Sequence, residues 1–395
     1  MNWVHEIKCH LTSQILPYWL NKLQDKEHGG FYGRIDGAET IHKEAHKGAI
    51  LNARILWTFS AAFRLFQKSE YLVAAARAYE YLIDHFMDKK HGGIFWEVDH
   101  LGRPVHTKKQ IYAQGFALYG FSEFYRASSI PEALDEAKKL FYLIEEYGKD
   151  PQTGGYWEAF DAKWQPISDV RLSPKDANEK KSMNTHLHIL EPYTNLMRVW
   201  RTPQIEEAQK SLINLFADKI VHKETNHLHL FFDENWQCKS TTISYGHDIE
   251  ASWLLVEAAE MLGDQILLQN TKKRSLEMVK AAMEGWQLDG SMIYEKEGAH
   301  TNAHRHWWVQ AETVVGLIYA WKHSGEKQYL EKAKSCWNYI QRYIWDKEHG
   351  EWFWSVDPHG APNRKDDKAG FWKCPYHNGR LCMEIYEHFN RSNDE

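Results

Sequence analysis

Three histidines stand in the opening turns of separate helical stretches: His188 in Asn184-Thr-His-Leu-His188, His247 in Thr242-Ile-Ser-Tyr-Gly-His-Asp-Ile-Glu250, and His377 in Gly370-Phe-Trp-Lys-Cys-Pro-Tyr-His377. An imidazole titrates near neutrality, so it is the side chain best suited to taking and returning a proton there. Asn184 and His188 are four apart and share a helix face, whereas His186 lies roughly 200° from His188 and points elsewhere. The His-x-His is therefore not a bidentate metal site on this helix. His247 and Glu250 are three apart and within reach, and a carboxylate beside an imidazole orients it and raises its basicity. His247 thus has the attributes of a tuned base. Comparable places in other stretches hold Arg54, Tyr112, Trp308 and Trp372.

What would bring these side chains together is a repeat. Six glycine-and-aromatic segments, beginning at Asp25, Asp88, Asp150, Asn226, Asp289 and Asp346, each give way to a helix. Asp25 to Asp88 is 63 residues and Asp88 to Asp150 is 62, a recurring unit that means one closed or stacked array. After the first segment Leu51, Ile55, Phe59 and Phe63 recur at helical spacing, and Tyr71 to Phe86 supplies a second amphipathic helix. Runs such as Gly29-Gly-Phe-Tyr-Gly-Arg-Ile35 are too brief for a core sheet but suit β-hairpins. Two helices per unit and six units predict an all-α (α/α)6 barrel, one catalytic domain over 1–395 with short β-hairpins in the connecting loops. The inner helices would all begin at one end. Their unpaired N–H groups and positive potential, useful against a developing oxyanion, would then surround one mouth.

Composition narrows the function further. The chain has 395 residues, 43% of them hydrophobic, and no Pro/Ser-rich linker at which to divide it. Eighteen Trp and 20 Tyr serve mostly as core but also suit surfaces on which sugars stack. A net charge of -6 leaves no basic footprint for nucleic acid. No run reaches the roughly 18 apolar residues of a membrane span, and Met1 to Lys8 does not resemble a signal peptide, so a cytoplasmic protein is expected. Five scattered cysteines, none in a C-x-x-C spacing, fit a reducing compartment and argue against a zinc knuckle. His28, His91 and His349 fill one slot before the hairpin glycines and read as a structural device. His227 and His229 have no Cys or carboxylate obviously placed to complete a metal site. Asp233 and Asp289 read as turn residues, and Glu179-Lys180-Lys181 as a solvated approach to a helix.

Four blocks carry a resemblance: Lys47-Gly-Ala-Ile-Leu-Asn-Ala-Arg-Ile-Leu-Trp-Thr-Phe59, Asn184-Thr-His-Leu-His-Ile-Leu-Glu191, Ser244-Tyr-Gly-His-Asp-Ile-Glu-Ala-Ser-Trp253 and Trp372-Lys-Cys-Pro-Tyr-His377. In combination the chain resembles, nearly end to end, the cellobiose 2-epimerases of the N-acylglucosamine 2-epimerase superfamily. The resemblance implies an (α/α)6 barrel that inverts C2 of the reducing-end glucose of a β-1,4-linked disaccharide with no cofactor and no metal. Cellobiose would become glucosyl-mannose, and lactose epilactose. Carried over by position, His247 and His377 are the acid/base pair at C2, His188 assists ring opening, and Arg54 stabilises the enediolate. Tyr112, Asn184, Glu250, Trp253, Trp308 and Trp372 form the rest of the pocket. Pro192, after Glu191, departs from the small residue the family has there and predicts a shift in that helix.

The chemistry asks for the same set. A C2 proton becomes removable only after the hemiacetal opens, so protons must move first at O5 and O1 and then at carbon, and groups with pKa near 6.5 suit both steps. Preorganised donors such as Arg54 and His188 would meet the charge spreading onto O1 and O2. Other readings are an aldose–ketose isomerase or a mannose or N-acylglucosamine 2-epimerase using the same histidines, a glycoside hydrolase, which needs two carboxylates across the sugar, and a non-catalytic sugar-binding protein. The only partner implied is a small sugar; a monomer is expected, with a dimer as the alternative.

Overall fold

The computed structural model describes residues 2–391, and within them the chain forms twelve helices. The first, α1 (residues 2–22), is continuous through a π turn at Leu11–Ile15. Then come α2 (Ala49–Phe66), α3 (Ser69–Tyr81), α4 (Ile111–Ser128), α5 (Pro131–Leu143), α6 (Met183–Met197) and α7 (Pro203–Leu215). The last five are α8 (Tyr245–Leu262), α9 (Gln265–Ala282), α10 (Trp307–Ser324), α11 (Lys327–Tyr339) and α12 (Tyr376–Arg391).

Even-numbered helices are apolar nearly all round, which only a buried helix can afford; in α4 every residue from Ile111 to Phe124 is buried. Odd-numbered helices bury one stripe, such as Ala133, Ala137, Leu140 and Phe141 of α5. Six inner helices accordingly pack in sequence around an axis, with α12 returning to touch α2 and α1 lying outside α12. Five helix pairs are consecutive in the chain, and the sixth joins its two ends. Left-handed residues turn inner helices into outer ones at Gln67, Ser129, Gly263 and Gly325, a common helix-ending conformation. The expected (α/α)6 barrel is therefore what these residues form.

Short strands sit at the end where the inner helices begin. Lys47–Gly48 pairs with Glu97–Val98, Lys109–Gln110 with Ala159–Phe160, Lys181–Ser182 with Phe231–Phe232, Thr242–Ser244 with Glu295–Glu297, and Arg305–His306 with Ser355–Val356. A bridge between Ile35 and Ala369 closes the circle. Each unit is thus stitched to the next just ahead of an inner helix.

A buried ion pair locks most of these units. Asp25, Asp88, Asp150 and Asp346 each turn one carboxylate oxygen to backbone N–H groups of their own hairpin and the other to Lys47, Lys109, Lys181 and Lys368, at 2.7, 2.9, 2.7 and 2.7 Å. At His28, His91 and His349 the Asp accepts from the backbone N–H, so the device belongs to the aspartate and not to the imidazole. Lys181 corrects the sequence reading: it is fully buried on Asp150, with Thr153 Oγ1 and the Gly154 carbonyl as further acceptors, and only Lys180 of that run is exposed.

Pro192 has the predicted effect. Its ring displaces the carbonyl four residues back, and His188 leaves helical geometry at φ −93°, ψ 16°. The displaced His188 oxygen leans on Gly115 of α4, where a Cβ would meet it at 2.4 Å. Removing one partner of a buried pair strands the other's charge, so Lys109→Met should lower stability by about 3–5 kcal/mol, whereas Lys89→Met on the surface should change it by under about 0.5 kcal/mol. Denaturant unfolding of both variants checks this; equal small effects would contradict the locking role.

Candidate active site

The inner helices share a register set by their grip on the hairpins. Gln114 exchanges hydrogen bonds with the Ile94 backbone, Gln310 does so with Met292, His186 Nε2 accepts from Tyr156 N at 2.8 Å, and Asp248 accepts from Leu228 N at 2.8 Å. His186 thus faces its hairpin and away from His188, as its spacing predicts. Two residues beyond the gripping position in successive helices come Arg54, Phe116, His188, Glu250, Glu312 and Arg380. That level is the floor of the site.

His188, His247 and His377 come together above it. The indole of Trp308 lies 4.7 Å from the His247 ring and 5.8 Å from that of His377, while Tyr112 lies 5.1 Å from His188. Arg54 donates to Tyr112 Oη at 2.9 Å and stacks on Phe116 and Tyr376, at 4.2 and 4.8 Å. Each imidazole is tethered through Nδ1: His377 to Glu312 at 2.6 Å, His188 to Glu191 at 3.1 Å, and His247 to Ser244 Oγ at 2.7 Å. No described residue bonds the three Nε2 atoms. A carboxylate accepts only, so His377 and His188 carry their proton on Nδ1 and present a bare Nε2, the base's tautomer. Ser244 is a hydroxyl that gives or takes, so His247 is free to present either form.

Burial sets the charge of the trio. It pulls His247 down to about 3, with the neighbouring His188 adding to the fall, and holds His377 well below 6.5 with Arg54 and Arg380 in support. His188 also falls, burial outweighing Glu191. The rings are consequently neutral at physiological pH, more strongly so than the ordinary imidazole value assumed from sequence.

Glu250 does not orient His247, contrary to the spacing argument. Its Oε1 takes Arg380 Nη2 at 2.8 Å and stands 3.8 Å from His377 Nδ1, and burial together with the charge of Glu312 pushes its pKa far up. Trp253 likewise belongs below the pocket and not to its wall. It is 1% exposed, donates to Glu312 and carries the Arg380 guanidinium over its ring. Asn184, Trp308 and Trp372 are half-buried nearer the mouth. The Asn184 Oδ1 has no partner and lines a recess of about 290 Å³ with Val170, Leu172, Asp176 and Phe231, while Trp372 makes an aromatic wall with Phe371 and Trp96.

Sequence reasoning missed Ser244, Glu191, Glu312 and Arg380. Glu191 follows His188 by three residues, the same step that was applied to His247, and the shared register alone exposes Glu312 and Arg380. Among the described residues one trio of His or carboxylate donors converges within 4.8 Å, Glu250 with Glu312 and His377, and the Arg380 guanidinium already supplies a cation to both carboxylates. Outside the site, His227 does have a carboxylate, Asp248 at 2.7 Å, and His229 a thiol, Cys238 at 3.1 Å, both unforeseen. Among the described residues no helix is long and apolar enough to cross a membrane.

Comparison with known proteins agrees along the whole length. The family described as N-acylglucosamine 2-epimerase (GlcNAc 2-epimerase) matches residues 30–379. The chain is 54% identical to a cellobiose 2-epimerase of Bacteroides fragilis over 382 residues, covering 96% of this chain and 97% of that one. It is 40% identical to a cellobiose 2-epimerase of Ruminococcus albus, covering 97% and 98%. The solved cellobiose 2-epimerase of Bacillus thermoamylovorans superposes with a TM-score of 0.95 at 40% identity, covering 98% of this chain and all of that one.

The tethers make a prediction that needs no substrate. In ¹⁵N spectra of histidine-labelled protein, all three rings should stay neutral as pH falls through 6.5, with the proton of His377 on Nδ1. A ring that titrates at or above 6.5 would contradict the assigned environment.

Proposed function

Since the chain belongs to the N-acylglucosamine 2-epimerase family, we propose that it inverts C2 of the reducing-end glucose of β-1,4-linked disaccharides, converting cellobiose to glucosyl-mannose and lactose to epilactose without a cofactor. The observation that carries the proposal is the trio of neutral imidazoles held by Nδ1 and bare at Nε2 beside a buried arginine.

His188 begins the reaction by moving a proton between O5 and O1, which opens the ring. His247 or His377, whichever faces the C2 hydrogen, then takes it. The electron pair left on C2 delocalises over C1 to O1 and O2 as an enediolate, and the Arg54 guanidinium, fixed by Tyr112 and two ring faces, stabilises that charge. Preorganised donors of this kind are worth about 2.7–4 kcal/mol each in the transition state. Glu312 does the same for the imidazolium of His377, and it is already aligned before the proton arrives. Positioned acid/base groups contribute about 10²–10⁴-fold. Reprotonation from the opposite histidine inverts C2, after which His188 supports ring closure. A single base would instead favour isomerisation or return, so two imidazoles on different helices favour epimerisation.

A glycosidase reading fits less well. Its two carboxylates must flank the scissile bond, whereas Glu250 and Glu312 lie buried on one arm of the same guanidinium beneath the pocket. Trp308 and Trp372, half-buried at the mouth, are the faces on which sugar rings would stack.

Incubation of the protein with cellobiose in D2O should place deuterium at C2 of both epimers without releasing glucose. His247→Ala and His377→Ala should each reduce that exchange by about 10³-fold or more with the helical fold retained. Exchange near the wild-type rate in either variant would remove that residue from the mechanism, and release of glucose would support the hydrolase instead.

A further inference from the structure

We infer that Arg380 is a positioning residue that ties the ring-opening histidine and a C2 histidine into one charge-coupled unit, by holding the carboxylates of Glu191 and Glu312 at the same time. For what the imidazoles do, this rests on the 2-epimerase reading above.

Arg380 is 1% exposed and spends both arms of its fork on acids. Nη1 donates to Glu191 Oε1 and to Tyr376 Oη, and Nη2 donates to Glu250 and Glu312, each at 2.8 Å. The rings of Trp253 and Tyr376 lie against the guanidinium, with its carbon 4.7 and 4.4 Å from their centroids, so its plane is fixed. Glu191 then holds His188 through its second oxygen, whereas Glu312 holds His377 through the very oxygen that Arg380 binds. One guanidinium therefore stands a single hydrogen bond behind the orienting acid of each imidazole, on three different helices.

The charge balance explains why an arginine is needed. Three carboxylates share a pocket closed to water, and with Glu250 protonated the remaining two face one cation. The titratable groups that look onto the two imidazoles are Arg54 from α2, Tyr112 and Tyr119 from α4, and Glu191 from α6. From α8 come His247, Glu250 and Glu257, from α10 Glu312, and from α12 and the turn before it Cys374, Tyr376 and Arg380. Two of these are cations, and Arg380 is the one bonded to the acids. Without it Glu191 and Glu312 would take up protons, and a carboxylic acid donates as well as accepts, so the Nδ1–H tautomers of His188 and His377 would no longer be enforced. Both imidazoles would also lose a cation that disfavours their charged form, and their titration would move up.

The test uses Arg380→Met and Arg380→Lys in the full chain. Wild-type exchange at C2 of cellobiose in D2O is measured first, and its absence would sink the epimerase reading, not the coupling. In Arg380→Met kcat should fall about 10²-fold or more with KM within about threefold. The acid limb of kcat/KM, which reports neutral histidines, should move up by about one pH unit, and the ¹⁵N titrations of His188 and His377 should move with it in substrate-free protein. Arg380→Lys keeps the charge but not the fork, so it should recover about tenfold in kcat over the methionine variant with a smaller upward shift. A kcat within about threefold of wild type in Arg380→Met, or a large loss with the imidazole titrations unmoved, would overturn the inference. If the methionine variant does not fold, the lysine variant decides: titrations at wild-type positions overturn the coupling, and an upward shift supports it.

Discussion

The bond from His377 Nδ1 to Glu312, 2.6 Å long and shut away from water, is the interaction on which the chemistry of this barrel depends. An imidazole alone in such a pocket is merely neutral. A carboxylate behind it decides which nitrogen is bare and waits to stabilise the charge that a captured proton brings. Glu191 does the same for His188. His247 has only the hydroxyl of Ser244, so its two nitrogens remain interchangeable. That asymmetry matches a reaction in which one proton is removed and another returned on the opposite side of the same carbon.

The fold exists to keep such a cluster dry and aligned. Ionised groups in a protein interior are expensive unless every one is paired, and here the pairing is arranged in levels. At the strand-bearing end, aspartate–lysine locks hold hairpin to helix; below it the grip of Gln114, His186, Asp248 and Gln310 fixes the rotation of each inner helix. The next level down delivers Arg54, His188, Glu250, Glu312 and Arg380 toward the axis. A slip of one helix by a single residue would turn its contribution by about 100° and strand a charge. Register in this ring is thus enforced by electrostatics as well as by packing.

The architecture was legible because its signals are local. A Gly-Gly turn flanked by aromatic residues recurs at a fixed period, and helices that are apolar all round announce their burial wherever they fall. Pro192 was legible for the same reason, since its clash acts four residues back on its own helix. What escaped were partnerships between helices. Glu250 lies within reach of His247 along α8, but Arg380, 130 residues away, claims the carboxylate. Lys181 looked solvated because Asp150, 31 residues earlier, is invisible to a reading of charge runs. Glu312 and Arg380 were overlooked in stretches that otherwise read as core, although aligning all six units by their hairpin-gripping residues would have revealed them. Trp253 was assigned to the pocket from a motif, and a motif records which residues go together without recording their depth.

Three helices carrying three imidazoles to one sugar is the claim on which the account stands. The direct measurement is a crystal structure with the alditol of a β-1,4-linked disaccharide, an open-chain mimic that cannot lose its C2 proton to an enediolate. Nε2 of His247 and of His377 should lie on opposite faces of C2, each about 3–3.5 Å away, with Arg54 at the C2 oxygen. An alditol bound elsewhere, or with both imidazoles on one face of C2, would contradict it.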